Sequence, residues 1–195
     1  MLSTAYPSNY TLRDDLTRFI VKSRLQLLEC NSLLHKYYPI VYPKECPMCN
    51  NPFDTVSHIM NGCRIFRHQY VDRHNRIVSL IMGQIMKLHP HVNIFSDQMI
   101  TGDMLDSYCD LTLLWNRKPD LLICDRIAKR AFIVKVSCPF DAFVNTCYSA
   151  KFDKYQPMNQ MITLGTSYLC KTIVLIVGSL GTVHKRVIRV WSCWA

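Results

Sequence analysis

Residues 118–141 read KPDLLICDRIAKRAFIVKVSCPFD. Two short runs rich in Leu, Ile and Val, DLLICD (120–125) and AFIVKVSC (131–138), flank the polar link RIAKR. Runs of that length and composition read as strands. A link that short joins them as a hairpin. Pro139 closes the second strand.

Outward from the hairpin the pattern alternates. DLTLLW (110–115) reads as a preceding strand. Residues 141–169 read as largely helical, with Phe143, Cys147, Phe152, Met158 and Ile162 on one side, and Pro157 expected to kink or break the run. KTIVLIV (171–177) is a further strand, and GSLG turns into a final helix around Val183–Val190. Upstream, Phe66, Tyr70, His74, Ile77, Ile81, Ile85 and Leu88 recur every three or four residues, which predicts a helix ending before Pro90. Residues 90–109 read as a weakly structured connection. Residues 11–36 read as one helix, with Thr11 and Asp14 spaced as a capping box and Leu12, Leu16, Ile20 and Leu27 at helical spacing. The prolines of YYPIVYPKE (37–45) end it. Helix, three strands, helix, strand and helix make an α/β sheet with helices against it.

Between the first two helices lies CPMCNNPFDTVSHIMNGC (46–63), with the spacing C-x2-C-x8-H-x4-C. Cys46, Cys49, His58 and Cys63 are soft or borderline ligands in two close pairs, which suits a tetrahedral zinc ion. Pro47 stiffens the turn between the first two, and Gly62 permits an unusual backbone angle beside the last. With four protein ligands the site is structural, replacing a core this short segment cannot build.

The 195 residues are 49 % hydrophobic and 19 % charged, a globular composition, and the net charge is +9. That excess favours a polyanionic partner, DNA or RNA, over a merely solvated basic face. No basic amphipathic stretch favours a membrane, and TIVLIVG (172–178) is too short to span one. The N-terminal residues lack the pattern of a signal peptide, so the ten cysteines are expected in an intracellular, reducing setting. Those in apolar runs read as small buried hydrophobes.

The hairpin also carries chemistry. Asp120 stands just after Pro119 at the start of a strand. Many metal-dependent nucleases take one carboxylate from a strand end and a second from the neighbouring strand to hold Mg²⁺, with a lysine nearby to stabilise developing negative charge.

Together these motifs resemble the C-terminal region of polyproteins from non-LTR retrotransposons that encode a restriction-like endonuclease. In that family a CCHC zinc motif precedes a PD-(D/E)xK nuclease domain. The matching pieces are the CCHC spacing, RHN (73–75), KPD (118–120), VSCPFD (136–141), KFDKY (151–155) and GSLGTV (178–183), in the family's order, over roughly residues 40–190. The resemblance implies an α/β, restriction-endonuclease-like core of helix, three strands, helix and strand at 69–195. It further implies a small CCHC zinc module at 41–68 and, at 1–40, a helical linker like that following a reverse transcriptase domain, with the chain either a complete product or a fragment of a longer polyprotein. It implies nicking of target DNA in the nucleus to prime reverse transcription, with structural Zn²⁺ and catalytic Mg²⁺.

Carried over residue by residue, Asp120 resembles the first Mg²⁺ carboxylate and Lys151 the catalytic lysine, with Lys154 the second candidate. Arg73, His74, Lys118 and Lys154 would face nucleic acid, and Tyr155 would accompany the lysines. One position departs. The family places an acid before the valine of VSCP, and here that residue is Lys135. A cation in place of a metal ligand reverses the local electrostatics, so cleavage is expected to be impaired and a binding-only module is the alternative. Asp125 and Asp141 are nearby carboxylates, neither at the matching position.

Overall fold

A computed structural model describes residues 13–106 and 118–184. The expected strand at 110–115, the final helix beyond His184, and Thr11 with Leu12 lie outside the described residues. The elements are α1 (Asp14–Arg24), α2 (Asn31–Tyr37), α3 (Val56–Asn61), α4 (Arg67–Leu88), β1 (Asn93–Ser96), β2 (Leu121–Asp125), β3 (Arg130–Ser137), α5 (Val144–Gly165) and β4 (Leu169–Ile176). The fold is mixed α/β with one four-stranded sheet in the order β1-β2-β3-β4. The chain divides into two compact units. One takes the described parts of Met1–Arg73, Cys138–Val144 and Val177–Val183; the other takes those of His74–Ser137, Asn145–Ile176 and His184–Ala195.

The second unit holds the sheet. β2 and β3 form the expected antiparallel hairpin, with Leu121 opposite Val134 and Asp125 opposite Arg130. Its turn is held by Asp125, whose Oδ1 accepts from the N–H groups of Ile127 and Ala128 at 3.0 and 2.8 Å. β4 runs parallel to β3, so a crossover is required, and α5 supplies it. β1 was not expected within 90–109; it pairs antiparallel along β2. Its four residues, NIFS, are too few for a periodicity signal, and the unpaired edge of β2 is what makes them a strand.

Leu122, Cys124, Ala131 and Ile133 lie on the sheet face that packs against Tyr155, Met158 and Ile162 of α5. Pro157 does not break α5, contrary to expectation. It is exposed, so the carbonyl it deprives of a partner is left to solvent while Tyr155 and Met158 stay inward. Cys124 and Cys170 sit in this core, and burial pushes both thiols up to about 12, so they act as small apolar side chains.

In the first unit the single helix expected over 11–36 is instead two. Gln26 adopts a left-handed φ of 58°. The Leu27 N–H then turns back to the Lys22 carbonyl at 2.7 Å and closes α1. Apolar spacing alone does not reveal such a stop. A small core joins Ile20, Cys30, Val56, Phe140 and Leu180.

Candidate metal centre and Asp120 site

The CCHC segment folds as a knuckle followed by a short helix. The Cys46 N–H donates to the Asn51 carbonyl and the Asn50 N–H to the Cys46 carbonyl, both at 2.8 Å. Asn50 closes this turn at φ 59°, a conformation asparagine tolerates well. His58 lies on α3, and the Cys63 N–H donates to its carbonyl at 2.8 Å, which sets the x4 spacing. The four ligand atoms lie within 4.8 Å of one another, with Cys49 Sγ 3.2 Å from His58 Nε2. Ligands about 2.0–2.3 Å from a tetrahedral ion stand roughly 3.5–3.8 Å apart, so this donor set could hold zinc. Cys46 and Cys63 are buried. Gly62 does not need an unusual backbone, since its φ is −124°. A Cβ there would sit 3.4 Å from His58 Nδ1, an ordinary van der Waals contact, so neither the backbone angle nor crowding requires glycine at this position.

The knuckle is tied to α2. Buried Asp54 accepts the Asn31 N–H on Oδ2 at 2.9 Å, at the first turn of α2, where Cys30 offers no side-chain cap. Asn31 Nδ2 donates to the Glu45 carbonyl at 2.8 Å, and Ser32 Oγ to the Lys44 carbonyl at 3.3 Å.

CPFD (138–141) and GSLGTV (178–183) meet in the same unit. Asp141 accepts the Leu180 N–H at 2.9 Å, the Thr182 hydroxyl, and Arg24 Nε at 3.3 Å. The Ser179 N–H donates to the Pro139 carbonyl at 2.8 Å. A Cβ on Gly178 would lie 2.2 Å from Asp141 Oδ1. Asp141 is therefore spent on anchoring this loop. Arg73 is similarly committed: Nη1 donates to the Met60 carbonyl and Nη2 to the Cys138 carbonyl, each at 3.3 Å.

The second unit contains the Asp120 site. Continuing the hairpin register one pair past Leu121 and Val134 sets Asp120 opposite Lys135. Lys135 Nζ lies 2.6 Å from Asp120 Oδ1, and the Val136 N–H donates to Oδ2 at 2.6 Å. His74 Nε2 is 3.5 Å from Oδ2. Burial pushes the Asp120 carboxyl up, but His74, Lys135 and the Val136 N–H outweigh it and hold the pKa below its ordinary value. Asp120, despite burial, holds the His74 imidazole above its ordinary value. The Lys135 ammonium also lies 6.0 Å from the Tyr155 ring centre, and the Tyr155 hydroxyl donates to the Lys118 carbonyl at 2.9 Å. The Asp120–His74 pairing joins residues 46 positions apart (120 − 74) and gave no signal in either local pattern.

The remaining candidates are more open. Lys118 pairs with Asp97 at 3.2 Å. Lys154 lies over the Tyr155 ring at 5.9 Å. Lys151 is half-buried on α5 and forms no hydrogen bond or ion pair among the described residues. Asp125 holds the hairpin turn and faces His91 at 3.6 Å.

Mg²⁺ calls for six oxygen ligands in near-octahedral array. Here both Asp120 oxygens are engaged by donors, and an ammonium occupies the position across the strand. These residues do not fit Mg²⁺. No described helix is long and apolar enough to cross a membrane. No protein-family model matches the sequence, and no curated protein matches it.

Proposed function

We propose that the chain is the zinc-and-nuclease region of a non-LTR retrotransposon polyprotein, one that binds DNA and whose cleavage centre Lys135 has closed. The observation that carries this reading is the cross-strand pair of Asp120 and Lys135, on the sheet face packed by α5. A restriction-endonuclease-like centre has that layout, with an acid at the first strand's start and a ligand on the next. Here a cation neutralises the carboxylate that a metal would need. The hairpin, crossover helix and parallel strand also follow the order such a core requires.

On this reading the Cys46–Cys63 module shapes a nucleic-acid-binding unit. His74, Lys118, Lys151 and Lys154 supply charge around Asp120, and the partner in the parent polyprotein is a reverse transcriptase domain acting on nuclear DNA. Affinity then comes mainly from phosphate contacts and falls steeply with salt.

Nicking of supercoiled plasmid with Mg²⁺ or Mn²⁺ tests the reading. The unmodified protein is expected to bind but cut poorly, and Lys135→Glu to cut. Asp120→Ala in that background should abolish the gain. A folded, zinc-loaded Lys135→Glu protein that shows no Asp120-dependent nicking overturns the nuclease assignment.

A further inference from the structure

Beside the zinc ligands, within the first unit, lies an open cleft of about 510 Å³. Phe53 and Phe143 line it and are 57 % and 54 % exposed. Pro139, Asn51, Ser57 and Asn61 complete most of its wall. Two half-exposed phenyl rings therefore border the same open cleft. Lys44 Nζ lies 5.6 Å from the centre of the Phe53 ring, so a cation stands beside one of them.

We infer that this cleft receives a base of single-stranded DNA, stacked on Phe53 and Phe143, with the adjoining phosphate on Lys44. The volume is that of a site for a nucleotide-sized ligand. Phenyl rings have no hydrogen-bonding group, so they accept any base through its π face, and a nearby cation tracks the backbone. A base paired in duplex has both faces covered by its neighbours, so the site selects single strand. Asn51 Nδ2 and the Ser57 hydroxyl offer hydrogen bonds to base edges without imposing a charge, while Asn61 Nδ2 is engaged by the Cys138 carbonyl. The inference deepens the proposed function and rests on it, because DNA is the polymer which that function brings to the chain. It adds to that reading a preference for unpaired strand, located at the zinc module and separate from Asp120.

The test is anisotropy of a fluorescein-labelled 15-residue oligodeoxythymidylate with the full, zinc-loaded chain. Phe53→Ala and Phe143→Ala should each weaken binding roughly 5- to 150-fold, the range for loss of one base–aromatic stack. Phe53→Trp should preserve binding, and its added emission should be quenched by the oligonucleotide. Zinc content and circular dichroism report whether each variant folds. If an alanine variant loses zinc, the tryptophan quench decides the question. Folded alanine variants that bind like the unmodified protein overturn the inference, as does an unquenched tryptophan at saturating oligonucleotide. Tighter binding of the matching oligouridylate overturns the assignment to DNA. None of these outcomes touches the Lys135→Glu nicking test, so the two readings fail separately.

Discussion

Lys135 Nζ stands 2.6 Å from Asp120 Oδ1, across one rung of the β2–β3 hairpin, with only 18 % and 10 % of the two side chains exposed. A pair this enclosed is bound more tightly than a surface ion pair, and breaking it strands a charge. Lys135→Ala leaves Asp120 with the Val136 N–H and His74 alone. It should lower stability by about 2 kcal/mol, the range for a hydrogen bond to a charged group. Asp120→Asn with Lys135→Met should cost less than the sum of the single changes. Urea unfolding of the four proteins measures the coupling, and strict additivity would falsify an energetic link between the two residues.

The same site sets a pH dependence of opposite sign at its two ends. Asp120 titrates below its ordinary 3.8, so its contribution is complete well above that value and is lost as pH falls through the depressed one. His74 titrates above 6.5, so its contribution is complete below 6.5 and is lost as pH rises through the folded-state value. Asp120→Asn should return His74 toward its ordinary titration. NMR titration of the imidazole in both proteins reads this directly, and an unchanged midpoint would show that Asp120 does not hold the ring.

Zinc removal should reach beyond the four ligands. Asp54 follows the first cysteine pair by a few residues and its carboxylate caps α2, so an undone knuckle takes the cap with it. Chelation, or Cys46→Ser, should abolish a one-to-one zinc content and raise amide exchange through Asn31–Tyr37. Asp54→Ala should raise exchange in α2 by the loss of a cap, about 1 kcal/mol, while zinc stays bound. If α2 stays protected without metal, the proposed dependence of this helix on the knuckle is wrong.

Gly178 is irreplaceable for a steric reason. A methyl group there would lie 2.2 Å from Asp141 Oδ1, so that carboxylate must move, whereas the Asp141 Cα at 3.3 Å need give only slightly. Gly178→Ala should destabilise the protein by roughly 1–3 kcal/mol. Asp141→Ala should also destabilise it, because the Leu180 N–H, Thr182 and Arg24 lose their acceptor, but Gly178→Ala should then cost little more. Thermal melts of the two single variants and the double variant check this, and additive losses would contradict the contact.

Gly181→Ala offers a contrast within the same loop. Its φ is 90° and no atom lies within 4 Å of a Cβ placed there. Any loss therefore comes from backbone strain alone, of order 1 kcal/mol, and should be unaffected by Asp141→Ala. A double variant that departs from additivity would show that crowding acts at Gly181 as well.

The sequence by itself determined the features that nearest neighbours control. The 120–138 hairpin, α4, α5 and the CCHC knuckle follow from short-range periodicity, a short polar link, and ligand spacings that a tight turn and one helical turn can satisfy. The strand limits expected from the sequence would set Asp120 opposite Val136, and the observed pairing of Asp125 with Arg130 shifts the register by one residue to bring Lys135 there. Only the tertiary structure decided where long-range partners lie. It ended α1 at Gln26, gave β1 an edge to pair with, supplied the cap of α2 from Asp54, and used Arg73 on carbonyls and Asp141 on a distant loop. It also brought His74 to Asp120. The physical reason is that a polar group's role is set by the donor or acceptor it meets after burial. That partner is chosen by packing across the chain, whereas apolar periodicity records only which face turns inward.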